Sequence, residues 1–260
     1  MTTTAPQANV VRGQSLQDKV ALVTGGDGQL GRRVVGALGD LGASVALQHR
    51  GHDSAAVDST LERLRELGRP VIETERTLSS SQAVAELFDH VIDQFRRLDV
   101  VVHTPGQVLK KPLTEITDDE FEANLDANLR LAFYVFREAG RRLADGGRLV
   151  TMSTSITGVT IPGYSIYAGH KAATEHYVRA LAKELGPRGV TVNAVAPGPI
   201  NSPFYFGVEN EASFQLASRL SGAGRLGEWD EVVPLIAFLC GPGAQWITAQ
   251  TIRVNGGMTA

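Results

Sequence analysis

The chain has 260 residues, a formal net charge of −3 at pH 7, 43% hydrophobic and 20% charged residues, and one cysteine. That is enough chain for one sizeable core of ordinary globular composition. The weak negative charge argues against broad binding to nucleic acid or an anionic membrane, and the lone Cys240 excludes an internal disulfide and any multi-cysteine metal site, so no metal is expected.

Residues 1–15 (MTTTAPQANVVRGQS) lack the apolar core of a signal peptide and are expected to form a disordered polar tail. No later run is long and apolar enough to span a membrane. With the sparse cysteine this gives a cytoplasmic expectation. Residues 16–260 read as one domain. Apolar runs at 20–25, 44–49, 70–74, 98–104, 147–153, 189–197 and 250–257 are rich in Val, Ile and Leu on both faces, as buried parallel strands are. Helical patterns fall between them near 29–41, 53–67, 79–96, 117–144, 165–186 and 229–240. The helix beginning near 118 carries a capping box, Thr117 with Glu120 three residues on. This alternation predicts an α/β, doubly wound domain: a seven-stranded parallel sheet with helices on both faces. The stretch 199–226 has no strand run and many small, aromatic and polar residues, so it is expected to form a substrate lid.

Three patterns carry chemistry. The first strand runs straight into Thr24-Gly25-Gly26-Asp27-Gly28-Gln29-Leu30-Gly31, and a helix follows. Glycines there let the backbone approach a pyrophosphate, while the helix N-terminus offers free N–H groups. The second strand ends in His49 and Arg50. An acid at that point binds the ribose 2′-hydroxyl of NAD, whereas a basic residue accommodates the 2′-phosphate of NADP. Arg50 offers a charge-assisted fork for that phosphate, which favours NADP(H) over NAD(H), although Asp53 is close by in sequence. Finally, Tyr167 and Lys171 stand four residues apart in GYSIYAGHKAATEHYVRALAKEL, on one helix face. An ammonium beside a phenol lowers the tyrosine pKa, so the pair is expected to exchange a proton near neutral pH.

The turn and the Tyr/Lys pair together resemble the short-chain dehydrogenase/reductase family, in particular its 3-oxoacyl reductase-like members, over about residues 16–258. The family's TGxxxGxG is met by Thr24, Gly25 and Gly31, with Gln29 in place of the middle glycine and Gly28 one position early. The resemblance implies a single Rossmann-like domain with Tyr167 as general acid/base. It implies that Lys171 tunes the phenol and bonds the nicotinamide ribose, that Asn128 holds a water near the lysine, and that a serine holds the substrate oxygen. Ser155 is the usual residue type for that last role; Thr154 is the alternative, beside Ser153. Asn124 lies one turn before Asn128 on the same face. The implied cofactor contacts are Gly25, Gly28, Gln29, Leu30 and Gly31 at the phosphates and His49 with Arg50 at the ribose. Thr77 and Leu78 fall at the adenine, where Thr77 replaces the family's Asp. Thr104, Pro105 and Gly106 follow, with His103-Thr104-Pro105-Gly106 standing for NNAG and His103 read as a structural residue. Pro197, Gly198, Ile200 and Ser202 border the nicotinamide, beside Tyr167 and Lys171.

The reaction so implied is hydride transfer between NADP(H) and a small-molecule carbonyl or secondary alcohol. Phe204, Tyr205, Phe206 and Phe214 suit an apolar pocket wall, and 199–218 holds no Arg or Lys cluster for a strongly anionic substrate. The family pairs through its long helices, so a homotetramer or homodimer is implied. A second reading is a catalytically weak dinucleotide-sensing or scaffold protein of the same fold. The departures at Gln29, Thr77 and His103–Gly106 favour it; Asn128, Tyr167, Lys171 and a neighbouring serine favour turnover.

Overall fold

Alternate side chains of each central strand feed two separate cores, and that division sets the architecture. In the computed structural model, which describes residues 14–259, seven strands form one sheet: β1 (Val20–Thr24), β2 (Ser44–His49), β3 (Val71–Glu75), β4 (Val100–His103), β5 (Arg148–Met152), β6 (Thr191–Pro197) and β7 (Thr251–Val254). Every pairing is parallel and the order is β3-β2-β1-β4-β5-β6-β7. The helices are α1 (Gln29–Asp40), α2 (Ser54–Glu66), α3 (Ser81–Phe95), α4 (Asp118–Leu125), α5 (Leu131–Arg142), α6 (Ser165–Leu185), α7 (Pro203–Phe206), α8 (Glu211–Leu220) and α9 (Trp229–Cys240).

Ala21 and Val23 of β1 pack with α1, α2 and α9, while Val20 and Leu22 pack with α3, α5 and α6. The period of two along a strand puts neighbours on opposite faces, so a run apolar at every position needs helices on both sides. Phe88 and Leu22 are fully buried in the second core; burial of such side chains stabilises by about 1.5–3 kcal/mol each. The strand order reverses between β1 and β4. Chain leaving these two carboxyl ends diverges to opposite faces, which opens a crevice there.

The expected elements form, with three differences. The helix expected over 117–144 is interrupted by a π-turn at Asp126–Arg130. Its cause is Asn128, whose Nδ2 donates to the Asn124 main-chain oxygen at 3.0 Å and to Gln107 O at 2.8 Å. A side chain inserted into the backbone ladder displaces the regular bonding. The Thr117/Glu120 capping box is present. The 199–226 segment contains two helices, α7 and α8, started by Ser202 and Asn210 as N-caps. The expected tail was drawn to residue 15, yet Gln14 is buried: a Cβ on Gly241 or Gly243 would collide with its amide. The remainder of that tail, 1–13, lies outside the described residues. No helix among the described residues is long and apolar enough to cross a membrane.

Asp99, just before β4, ties the lower ends of two central strands together. Its carboxylate accepts from the Val20 amide at 3.0 Å, from Lys19 at 3.2 Å and from Arg97 at 2.7 Å. Burial pushes this carboxyl up, but Arg97, the Val20 amide and Lys19 outweigh it and hold it below its usual 3.8. A carboxyl depressed on folding stabilises the fold above its unfolded pKa, and that stabilisation is lost as pH falls through the folded value. Urea midpoints should therefore show wild type ahead of Asp99→Asn at neutral pH, with the gap closing below about pH 4. A gap that is constant with pH would remove the charge from this account.

Candidate active site

A cleft of about 1120 Å³ lies along the carboxyl ends of the sheet, from the glycine turn after β1 to Tyr167 and the α7–α8 lid. Its first end is built from close backbone contacts. Gly25 has φ +75°, and a Cβ on it would stand 2.8 Å from Thr104 Oγ1. A Cβ on Gly31 would stand 2.2 Å from Gly25 O. The α1 N-cap, Gly28, supplies no side-chain cap, and the first turn holds no acid. The leading N–H groups of α1 are thus left for an anion. Gln29 and Leu30 also line the cleft. Thr77, Leu78, Thr104, Pro105, Gly106, Pro197, Gly198, Ile200 and Ser202 line it as expected. The Ser202 hydroxyl caps α7, accepting from Tyr205 N at 3.4 Å.

His49 does not face the cleft, contrary to its expected cofactor contact. Its ring is buried on the other face of β2, with Nε2 bonded to Glu73 at 2.8 Å and Nδ1 accepting from Gly51 N at 3.0 Å. Strand alternation presents Gln48 instead. Gln48 was missed in the sequence: its Oε1 accepts from Gly25 N at 3.1 Å and its Nε2 donates to Arg76 O at 2.7 Å, fixing the turn. The signal was available, since a buried strand holding a glutamine needs a polar partner. Arg50 lines the cleft, and among the described residues no carboxylate is paired with its guanidinium. Asp53, the competing acid, is paired with Arg32 at 2.5 Å. Asp27 accepts from the Arg50 main-chain N–H at 3.1 Å. These features fit a dinucleotide with a phosphate near Arg50.

At the other end, Tyr167 and Lys171 are both buried. Lys171 Nζ donates to Met152 O at 3.0 Å and reaches Pro105 O at 3.5 Å. Burial pushes Lys171 down to about 8. The expected lowering of Tyr167 is not found: burial pushes its phenol up to about 12, opposed by a hydrogen bond with Thr154. Desolvation of the phenolate outweighs that bond, and the Lys171 ammonium is spent on main-chain carbonyls.

The three neighbouring hydroxyls separate by partner. Ser155 Oγ donates to Ala196 O at 3.0 Å. Ser153 Oγ lies 2.5 Å, and Thr157 Oγ1 2.7 Å, from Oε1 of buried Glu175. Thr154 is the hydroxyl that hydrogen-bonds Tyr167. Asn128 stands behind this end, its Oδ1 accepting from Gln107 N at 3.1 Å. A Cβ on Gly106 would lie 3.0 Å from Lys171 Nζ and 3.1 Å from Asn128 Oδ1. His103 is walled off, bonded to Thr24 Oγ1 at 2.9 Å. Burial and then Lys171 push it down to about 3, so it stays neutral. Among the described residues no cluster of His, Cys, Asp and Glu could hold a metal.

A family model described as enoyl-(acyl carrier protein) reductase matches residues 27–259. A short-chain type dehydrogenase/reductase of Picea abies is 33% identical over 251 residues, covering 93% of both chains. The hydroxynaphthalene reductase of Aspergillus fumigatus is 32% identical over 247 residues, covering 90% of both. A provisionally named dehydrogenase of Burkholderia cenocepacia, solved with bound NADP, is similar at a TM-score of 0.89 and 38% identity, over 96% of this chain and 97% of its own.

Gly31→Ala tests the turn. With its Cβ 2.2 Å from Gly25 O, the turn must open and withdraw its amides, so NADPH affinity should fall by about 100-fold or more, as expected when several charge-assisted bonds are lost. Fluorescence titration measures it, with circular dichroism as the check on folding; unchanged affinity overturns the cradle.

Proposed function

The chain belongs to the short-chain dehydrogenase/reductase family, and we propose that it is an NADP(H)-dependent reductase of small-molecule ketones. The observation that carries this reading is one continuous cleft with the glycine cradle at one end and Tyr167, Thr154 and Lys171 at the other. When bound, the nicotinamide supplies the hydride. Gly25, Gly28, Gln29, Leu30 and Gly31 would hold its phosphates, Thr77 and Leu78 its adenine end, and Pro197, Gly198 and Ile200 its nicotinamide end. Arg50 would take the 2′-phosphate, free of Asp53, which supports NADP(H) over NAD(H). The similar Burkholderia cenocepacia structure with NADP supports the same choice.

Each remaining role follows from a free valence. Thr154, which accepts from Ile156 N and bonds Tyr167, donates to the substrate oxygen, since the Ser153 and Ser155 hydroxyl protons are directed to Glu175 and Ala196. Tyr167, held protonated, gives its proton to the oxygen as alkoxide character develops. Lys171 keeps positive charge beside the phenol that is losing a proton. Asn128 positions the 105–107 loop through Gln107 and so the lysine's carbonyl partner. The sensor reading loses to this one because nothing in cofactor binding alone calls for a buried phenol, hydroxyl and ammonium together. Exposed Phe121, Phe133 and Tyr177, on α4, α5 and α6, support self-association through those helices.

Tyr167→Phe should cut kcat for NADPH-dependent ketone reduction by about 100-fold or more while NADPH still binds; equal rates would sink the assignment. Thr154→Ala should lose more kcat than Ser155→Ala, and the reverse order would restore Ser155 to the role. With Lys171 near 8 and Tyr167 near 12, reductive kcat/KM should decline above about pH 8, as the lysine loses its proton while the phenol keeps its own. A profile flat to pH 10 would contradict the role of that charge. Arg50→Ala should weaken NADPH far more than NADH, and a parallel fall in both would remove Arg50 as a phosphate ligand.

A further inference from the structure

Glu175 stands on α6 four residues after Lys171 and two turns after Tyr167, so the three share one helix face. It is buried, and among the described residues no Lys, Arg or His forms an ion pair with it. Its Oε1 is met by two hydroxyls, Ser153 Oγ at 2.5 Å and Thr157 Oγ1 at 2.7 Å. Thr157 Oγ1 also lies 2.8 Å from the main-chain oxygen of Thr154. Ser153 and Thr157 bracket Thr154 in the chain, so the carboxyl grips the turn on both sides of that residue. Glu175 itself is not part of the cleft wall, whereas Ser153, Thr154 and Ser155 are.

Burying a carboxyl with no cation beside it is costly, and apolar residues often replace buried charged groups without loss of stability. Stability alone therefore does not account for this residue, and its partners show what it does. The helix meets the 152–157 segment at three points. Lys171 bonds Met152 O, Tyr167 bonds Thr154, and Glu175 bonds Ser153 and Thr157. The first two involve the groups that serve the reaction. The third leaves them free, yet it fixes the turn that carries the Thr154 hydroxyl. Ser155 ties the same turn to β6 through Ala196 O, not to α6. Within the turn the Thr154 hydroxyl accepts from Ile156 N at 3.4 Å, a long bond that orients it weakly. The register between that hydroxyl and the phenol on α6 thus depends on the Glu175 brace.

We infer that Glu175 is a positioning residue for carbonyl reduction: by holding Ser153 and Thr157 against α6 it sets the Thr154 hydroxyl beside the Tyr167 hydroxyl, so that both reach one substrate oxygen. This rests on the reductase reading and deepens it. The carboxyl acts through the turn and touches neither substrate nor cofactor. Its acceptor oxygen is the working part, because that one atom takes both hydroxyls.

The test is a double-mutant cycle in NADPH-dependent reduction of acetophenone, cyclohexanone and α-tetralone, using wild type, Thr154→Ala, Glu175→Leu and the double variant. Glu175→Leu should lower kcat by about tenfold or more when Thr154 is present, since a misplacement of about 1 Å costs up to about 100-fold. Once Thr154 is Ala, the same change should cost less than about twofold, because the group it positions is gone. Glu175→Gln keeps the acceptor oxygen and should retain at least about half of kcat. Fluorescence titration should give an NADPH Kd within about twofold of wild type for every variant, which shows each one folded and loaded. If Glu175→Leu does not bind NADPH, Thr157→Val takes its place in the cycle, with the same pattern expected. No loss, an equal loss in both Thr154 backgrounds, or a Glu175→Gln as damaged as Glu175→Leu overturns this inference and leaves the reductase reading standing. If wild type reduces none of the ketones, or if Thr154→Ala and Tyr167→Phe both match its rate, the reductase reading fails and takes this inference with it.

Discussion

The reversal of strand order between β1 and β4 is the constraint on which the site depends. On either side of it the chain departs to opposite faces, leaving two carboxyl ends with no segment between them. Everything that lines the inner part of the cleft reaches that gap by a short path. The glycine turn enters from β1, Thr104 to Gly106 from β4, and the hydroxyl loop from β5. Gly25 and Thr104 are in contact across it, and the Thr104 hydroxyl donates to Gly25 O at 3.3 Å, joining the cradle to the floor of the reacting end.

Within that frame, the polar chemistry is decided by prior commitments. Burial makes an unpaired polar group costly, and several groups around the cleft already hold partners. Ser155 is committed to Ala196, Ser153 to Glu175, Asp53 to Arg32 and His103 to Thr24. Facing the cleft are Thr154 and Tyr167, which bond each other, and Arg50, whose guanidinium is paired with no carboxylate among the described residues. Lys171 is in between: its bonds to Met152 and Pro105 orient it without neutralising it.

This explains how much was legible in the sequence. Strands apolar at every position could only be buried on both faces, so the sheet and its helices followed from periodicity alone. The 229–240 helix matches its expected bounds. The glycine turn and the Tyr167/Lys171 spacing were local patterns, and local patterns survive folding. What local patterns did not decide has a cause of the opposite kind. Choosing between Ser155 and Thr154, or between His49 and Gln48, requires knowing which face a strand-end residue presents and who waits there. A one-residue difference flips the face, and the Ser155 and Gln48 partners, Ala196, Gly25 and Arg76, are 41, 23 and 28 residues away. The tyrosine pKa failed for a related reason: helical spacing put the ammonium nearby, but burial of the phenol and the carbonyls that hold the lysine are tertiary facts. The bonds from Ser153 and Thr157 to Glu175 join residues 22 and 18 apart in sequence and carry no local signature.

The π-turn at Asp126–Arg130 has a consequence in helical phase. Successive residues of a regular α-helix are set about 100° apart around the axis, so one continuous helix from 118 to 142 would fix the azimuth of its second half by that of its first. The extra residue accommodated at Asn128 uncouples the two. α4 can aim Asn124 at Gln107 while α5 turns Val135, Phe136 and Ala139 onto the sheet. A deletion of one residue here would therefore act as a rotation. It would leave the helix intact and longer in regular bonding, yet turn either the asparagines or the apolar stripe away from what each one meets.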